Sequence, residues 1–216
     1  MARRKAATSG AEQPASGLAR LAPAQQRSRE RFERILACAA EIIAEKGSEA
    51  LRMSDIVERS GIAFGSLYQY FPDKTAIIGT LAERHNAVGR DCVRRDLAAV
   101  KTSQDLHPAL CRIVDSYYEM FMREPVMRDI WRATQADRAL QKLDAEDMAF
   151  LTGLLSAAIR RVAPETPAAA LATFSALTMT LIAAVVRQAI TLPAKQARRM
   201  LELFKAMLPH DIADVR

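Results

Sequence analysis

The side chains best placed to do chemistry fall in two groups. The first is a short stretch after the Ser60-Gly61 break, where Phe64, Ser66, Tyr68, Gln69 and Tyr70 spread hydroxyls, an amide and aromatic rings over the outer faces of a predicted helix. Ser66 has no His near it in sequence, so it is not read as a nucleophile. The second group gathers Tyr117, Tyr118, Phe121, Met122, Met127, Trp131 and Phe150, the adaptable aromatic and thioether surface that lines an apolar pocket or fills an ordinary core. Arg132 and Gln135, at helical spacing from Trp131, add polar groups able to orient a ligand. Enzyme chemistry finds little support: the chain has no Gly-rich phosphate loop, no GxSxG elbow and no two-histidine motif. Asp144, Glu146 and Asp147 are read as charges at a helix start, favoured by the positive end of the dipole. His85, His107 and His210 lie at no metal spacing to each other or to a cysteine, so neither a metal nor a cofactor is expected. His85 falls near an apolar helix face, as a packing residue or a sensing group, while the other two read as loop residues.

The elements that must hold these groups are helices. Half of the 216 residues are hydrophobic, 26% are charged and 6% aromatic, with 8 Gly and 9 Pro, a composition that suits an all-α protein. Residues 25–46 carry Phe32, Ile35, Leu36, Ala39, Ile42 and Ile43 at a 3.6-residue period and stop at Lys46-Gly47. Short helices follow at 54–59 and 63–70, then one capped by Asp73 that runs to about residue 97. Prolines divide the remainder into helices near 108–123, 125–135, 144–163, 168–190 and 194–208. The uncharged run 166–186 is long enough for a bilayer, but its Ala, Thr and Ser content and the closing Arg187 favour a helix buried within or between subunits, so no membrane association is expected. Arg187 itself is expected to end at solvent, pair across a subunit interface or neutralise a buried anion. Three cysteines without CxxC spacing, Cys38, Cys92 and Cys111, suit reduced, buried thiols and a cytoplasmic protein.

The net charge is +6. Most of the excess lies in Arg3, Arg4, Lys5, Arg20, Arg27, Arg29 and Arg31, so residues 1–24 are expected to form a mobile basic arm. Arg27, Arg29 and Arg31 either track phosphates and an adjacent minor groove or form a solvated terminus. A helix, a Gly turn and a second helix over 53–70 have the geometry that presents a helix to the major groove of DNA. Ile56, Val57, Leu67 and Phe71 supply the apolar side that packs on Ile35, Leu36 and Ile42. Taken alone, the same pattern also fits a helical hairpin in a core.

The stretch LRMSDIVERSGIAFGSLYQYFPDK at 51–74, preceded by the amphipathic helix, resembles the DNA-binding domain of the TetR family of transcriptional regulators. The resemblance spans about residues 27–78. It implies a three-helix reader at 25–75, and a larger helical domain at 76–216 that binds a small-molecule inducer and forms a homodimer through the helices near 168–190 and 194–208. It also implies that Tyr68, Tyr70 and Ser66 face phosphates or base edges and that Lys74 grips a backbone phosphate of a double-stranded operator. The full set of candidate DNA contacts is Arg29, Arg52, Ser54, Ala63, Phe64, Ser66, Tyr68, Gln69, Tyr70 and Lys74. Arg52 and Ala63 stand where the family usually has capping hydroxyls, which weakens each helix start by about 1 kcal/mol unless Ser54 caps the first. Phe64, at a variable position, either touches a thymine methyl or folds back on the scaffold. Candidate ligand contacts are Tyr117, Phe121, Met122, Met127, Trp131, Gln135 and Phe150. A ligand-responsive repressor is the expected function, and a small-molecule binding protein with a vestigial reader is the alternative.

Overall fold

The apolar stripe of the first amphipathic segment specifies α1 (Gln26–Lys46), which buries Phe32, Ile35, Leu36, Ala39, Ile42 and Ile43. In the computed structural model, which describes residues 26–210, it is followed by α2 (Met53–Ser60), α3 (Phe64–Tyr70) and α4 (Lys74–Ala98). A 3-10 turn (Ser103–Asp105) then leads into α5 (Leu106–Arg123), α6 (Val126–Ala136), α7 (Arg138–Val162), α8 (Ala168–Ala189) and α9 (Ala194–Met207), with no strand among the described residues. The fold is all-α. The expected basic arm at 1–24 lies outside the described residues.

Local chemistry sets the boundaries. Gly61 adopts φ 67° and ψ 17°, the left-handed conformation that ends α2, and its N–H donates to the Val57 carbonyl at 3.0 Å. The Asp73 carboxylate accepts from the Ala76 N–H at 2.8 Å and starts α4, as its position in the sequence indicates. Arg52 and Ala63 hold the N-cap positions of α2 and α3 without a side-chain cap, and Ser54 does not substitute for them, because its hydroxyl donates to Asp55 instead. The start of α7 differs from the sequence expectation by six residues. Asp137 caps it, accepting from the Ala139 and Leu140 N–H groups at 2.8 and 3.2 Å, so Asp144 and Asp147 lie two turns inside the helix rather than at its start.

Among the described residues two apolar cores form, and α4, α6 and α7 belong to both. The first packs α1, α2 and α3 around Ile35, Leu36, Ile56, Leu67 and Phe71, and extends to Leu81 of α4, Ile130 of α6 and Leu140 of α7. The second joins α5, α7, α8 and α9 through Leu110, Val114, Leu155, Ile159, Val186 and Leu201, and takes in Val93 and Leu97 of α4 and Met127 of α6. α8 is long and apolar enough to cross a membrane. In this fold it buries Leu171, Met179, Ile182 and Val186 against α5, α7 and α9. His107, expected in a loop, is the second residue of α5, where it stacks on His210 with ring centroids 3.9 Å apart. Of the three thiols only Cys38 is buried; Cys92 and Cys111 are half-buried.

Candidate nucleic-acid interface and ligand cavity

α3 is seven residues long, and its period decides which groups face out. Leu67, Tyr70 and the following Phe71 turn inward, which leaves Phe64, Gly65, Tyr68 and Gln69 exposed and Ser66 half-buried. Phe64 is 48% exposed and does not fold back on the scaffold; its ring stacks on that of Tyr68, 45% exposed, with centroids 6.3 Å apart and planes at 18°. A Cβ built on Gly65 would meet nothing within 4 Å, so packing inside the chain does not account for this glycine.

The outward placement expected for Tyr70 does not hold. Its ring is buried, edge-on to Phe32 at 6.1 Å, and its hydroxyl lies 2.7 Å from Ser28 Oγ. Tyr70 follows Leu67 by three residues and so shares its inward side. Around this face the Lys74 ammonium sits at the start of α4 and donates to the Glu49 carbonyl at 3.4 Å, while Arg52, Ser54, Ala63 and Arg29 are exposed. Arg59 donates to Glu45 through both terminal guanidinium nitrogens, at 2.8 and 2.7 Å, and clamps α2 to α1.

A cavity of about 100 Å³ opens between α4, α5, α6, α7 and α8. Tyr117, Phe121, Met127 and Trp131 line it, as the sequence suggested. Three expected members do not. Met122 is 52% exposed, turned out by its place one residue after the buried Phe121. Phe150 is also exposed and lies beneath the Arg90 and Arg94 guanidiniums, each 5.7 Å from its ring centre. Gln135 is exposed too, and its amide donates to Asp144 at 3.2 Å, supporting a wall residue from outside.

Sequence reasoning misses most of the polar part of the wall, although for Arg187 it leaves open a role beside a buried anion. Arg187 turns inward, half-buried: its Nε donates to the Tyr117 hydroxyl at 3.3 Å, its Nη2 to Asp144 at 3.2 Å, and its guanidinium lies 4.9 Å over the Trp131 ring. Arg90 donates to Asp147 at 2.7 Å and also bonds Glu83. Burial pushes the Asp147 carboxyl above its ordinary range against the opposing pull of Arg90, and pushes the Tyr117 phenol up as well. Burial holds the His85 imidazole below its ordinary value, with Glu124 3.4 Å from Nδ1 pulling the other way and Arg84 adding to the lowering. The missed signal is a stripe: Leu143, Asp144, Asp147, Met148 and Leu151 all line the cavity at helical spacing, a pattern concealed when the helix is started at 144.

Comparison with known proteins completes the picture. The profile described as "Bacterial regulatory proteins, tetR family" matches residues 35–81, and that of the "Tetracyclin repressor-like, C-terminal domain" matches residues 104–214, more than half of the chain. The chain belongs to the TetR family. Among curated relatives, the HTH-type transcriptional regulator YvdT of Bacillus subtilis (strain 168) is 45% identical over 53 residues, 24% of this chain and 27% of that protein. The chain thus spans about a quarter of the length of that curated relative. The crystal structure of a TetR-family regulator from Syntrophomonas wolfei superposes with a TM-score of 0.63 at 20% identity, covering 83% of this chain and 93% of the other. That of FadR from Bacillus subtilis in complex with stearoyl-CoA gives a TM-score of 0.60 at 17% identity, over 82% and 100% of the two chains. At such identities these structures establish the shared fold.

Proposed function

We propose that this TetR-family protein is a cytoplasmic, homodimeric repressor that binds a near-palindromic DNA operator through α3 and is released by a small molecule taken into the helical cavity. The observation that carries this reading is the outer face of α3, where Phe64, Tyr68 and Gln69 stand exposed on a scaffold fixed by the buried Leu67 and Phe71. Tyr68 and Lys74 hold phosphates, which positions the reader, and the side chains of α3 reach base edges.

The cavity supports ligand response because its walls include helices that enter the reader's core. Ala82 and Ile130 contribute to both, on α4 and α6 respectively. A ligand that fits better when α4 and α6 are parted favours a state with a different separation of the two reading heads, and this difference in affinity supplies the coupling. The wall is mostly apolar, with Tyr117, Asp144, Asp147 and Arg187 among its polar groups, so a largely apolar ligand with a polar part suits it. Dimerisation is supported by Leu177 and Leu181 on α8 and Leu203 and Met207 on α9, large apolar side chains left exposed in the single chain.

Salt dependence tests the proposal. A reader making 6–10 phosphate contacts loses about 10³–10⁵-fold in affinity between about 50 and 200 mM salt. A flat response, or ligand binding without any DNA binding, contradicts it and favours a small-molecule binding protein with a vestigial reader.

A further inference from the structure

We infer that α3 reads A·T base pairs, with the exposed Phe64 ring seated on the 5-methyl group of a thymine and Gln69 hydrogen-bonded to an adenine edge. The inference rests on the DNA-binding reading above and names the chemistry that the reader recognises. α3, FGSLYQY, carries no charged side chain. The commonest specific contact to guanine is a bidentate Arg or Lys, and the matching contact to cytosine is an Asp or Glu acceptor; α3 offers neither. Its outer face offers an amide at Gln69, a hydroxyl at Ser66 and two aromatic rings. Gln is the bidentate partner of adenine, and a hydroxyl accepts either base.

Phe64 narrows the choice further. Its ring stays 48% exposed while Tyr68 stacks along it, so the pair forms an apolar shelf beside the amide. In the major groove the group on a base edge that matches such a shelf is the thymine methyl. Gly65 lies between these groups on the outer face with open space where a Cβ would stand, which lets the backbone approach the groove floor closely enough for an aromatic ring to reach a methyl. Arg52 and Lys74 stand at the starts of α2 and α4, outside α3 itself.

The test begins with the full-length protein and a random-sequence duplex library at fixed salt, which yields the preferred half-site. Each thymine of that half-site is then replaced by deoxyuridine, which removes the methyl and leaves every hydrogen-bonding group in place. One thymine per half-site should prove sensitive, with binding weakened about fourfold for one half-site and about fifteenfold for both. In Phe64→Ala this penalty should vanish, and in Phe64→Leu most of it should persist. Tolerance of deoxyuridine at every position overturns the inference, as does an equal penalty in Phe64→Ala or a half-site without A·T pairs, while leaving DNA binding intact. Failure to enrich any sequence overturns the DNA-binding reading, and this inference with it.

Discussion

Gly65→Ala should move stability and DNA binding in opposite directions. The added methyl meets no atom within 4 Å, and Gly65 lies inside α3, so the folded chain accepts it without rearrangement. Ala is favoured over Gly by about 0.8–1.0 kcal/mol in a helix interior. Near the start of a seven-residue helix a gain of about 0.5–1 kcal/mol is reasonable, through reduced freedom of the unfolded chain. At roughly 2–4 °C per kcal/mol for a chain of this size, the thermal midpoint should rise by about 1–4 °C. On DNA the same methyl stands at the centre of the reading face and holds the helix away from the groove. Loss of the Phe64 contact in both half-sites alone weakens binding about fifteenfold, so a drop of at least about tenfold is expected. Differential scanning calorimetry and fluorescence anisotropy on the selected operator measure the two effects. A lower midpoint refutes the open space at Gly65, and unchanged affinity refutes the assignment of this face to DNA.

Three further outcomes follow from individual residues. Lys74→Ala and Tyr68→Ala, both exposed, should stay folded by circular dichroism and bind the operator weakly; for Lys74→Ala the slope of log K against log salt should shrink by about 0.9 per lost contact, so by about 2 over two half-sites. Burial holds the folded His85 imidazole below its ordinary value, so the unfolded chain takes up this proton first as pH falls. Its contribution is therefore whole above the ordinary histidine range and is lost on acidification through it. Asp147, whose carboxyl burial pushes up, acts in the opposite sense, because the folded chain takes up its proton first. Urea midpoints at pH 7.5 and 5.5 should fall more in the wild type than in His85→Gln, and parallel losses contradict this. Finally, Leu181→Glu combined with Leu203→Glu, placed on the exposed faces of α8 and α9, should convert the protein to folded monomers in sedimentation and abolish tight operator binding; a variant that remains dimeric moves the interface elsewhere.

Much of the fold was legible because the N-terminal helices obey simple periodic rules. The stripe of α1, the left-handed turn at Gly61 and the Asp73 cap are all local signals, and each is realised where the spacing placed it. Tyr70 shows where polarity misleads. A phenol reads as an outward group, yet helical phase set by Leu67 turns the ring into the core and leaves its hydroxyl to Ser28. The cavity was legible in its aromatic part and illegible in its polar part. Arg187 is held in the wall, half-buried, by partners 43 and 70 residues away in sequence, Asp144 and Tyr117, and no local pattern announces such pairings. Met122, Gln135 and Phe150 had the right chemistry but the wrong phase, which depended on where α5, α6 and α7 begin.

The most direct test of the central claim is selection of genomic DNA fragments by the purified, ligand-free protein at physiological salt. The account predicts enrichment of one near-palindromic sequence whose half-sites lie about one helical turn, or a whole multiple of it, apart, with enrichment lost in Tyr68→Ala. Recovery of no enriched sequence, or of sequences retained equally by Tyr68→Ala, contradicts it.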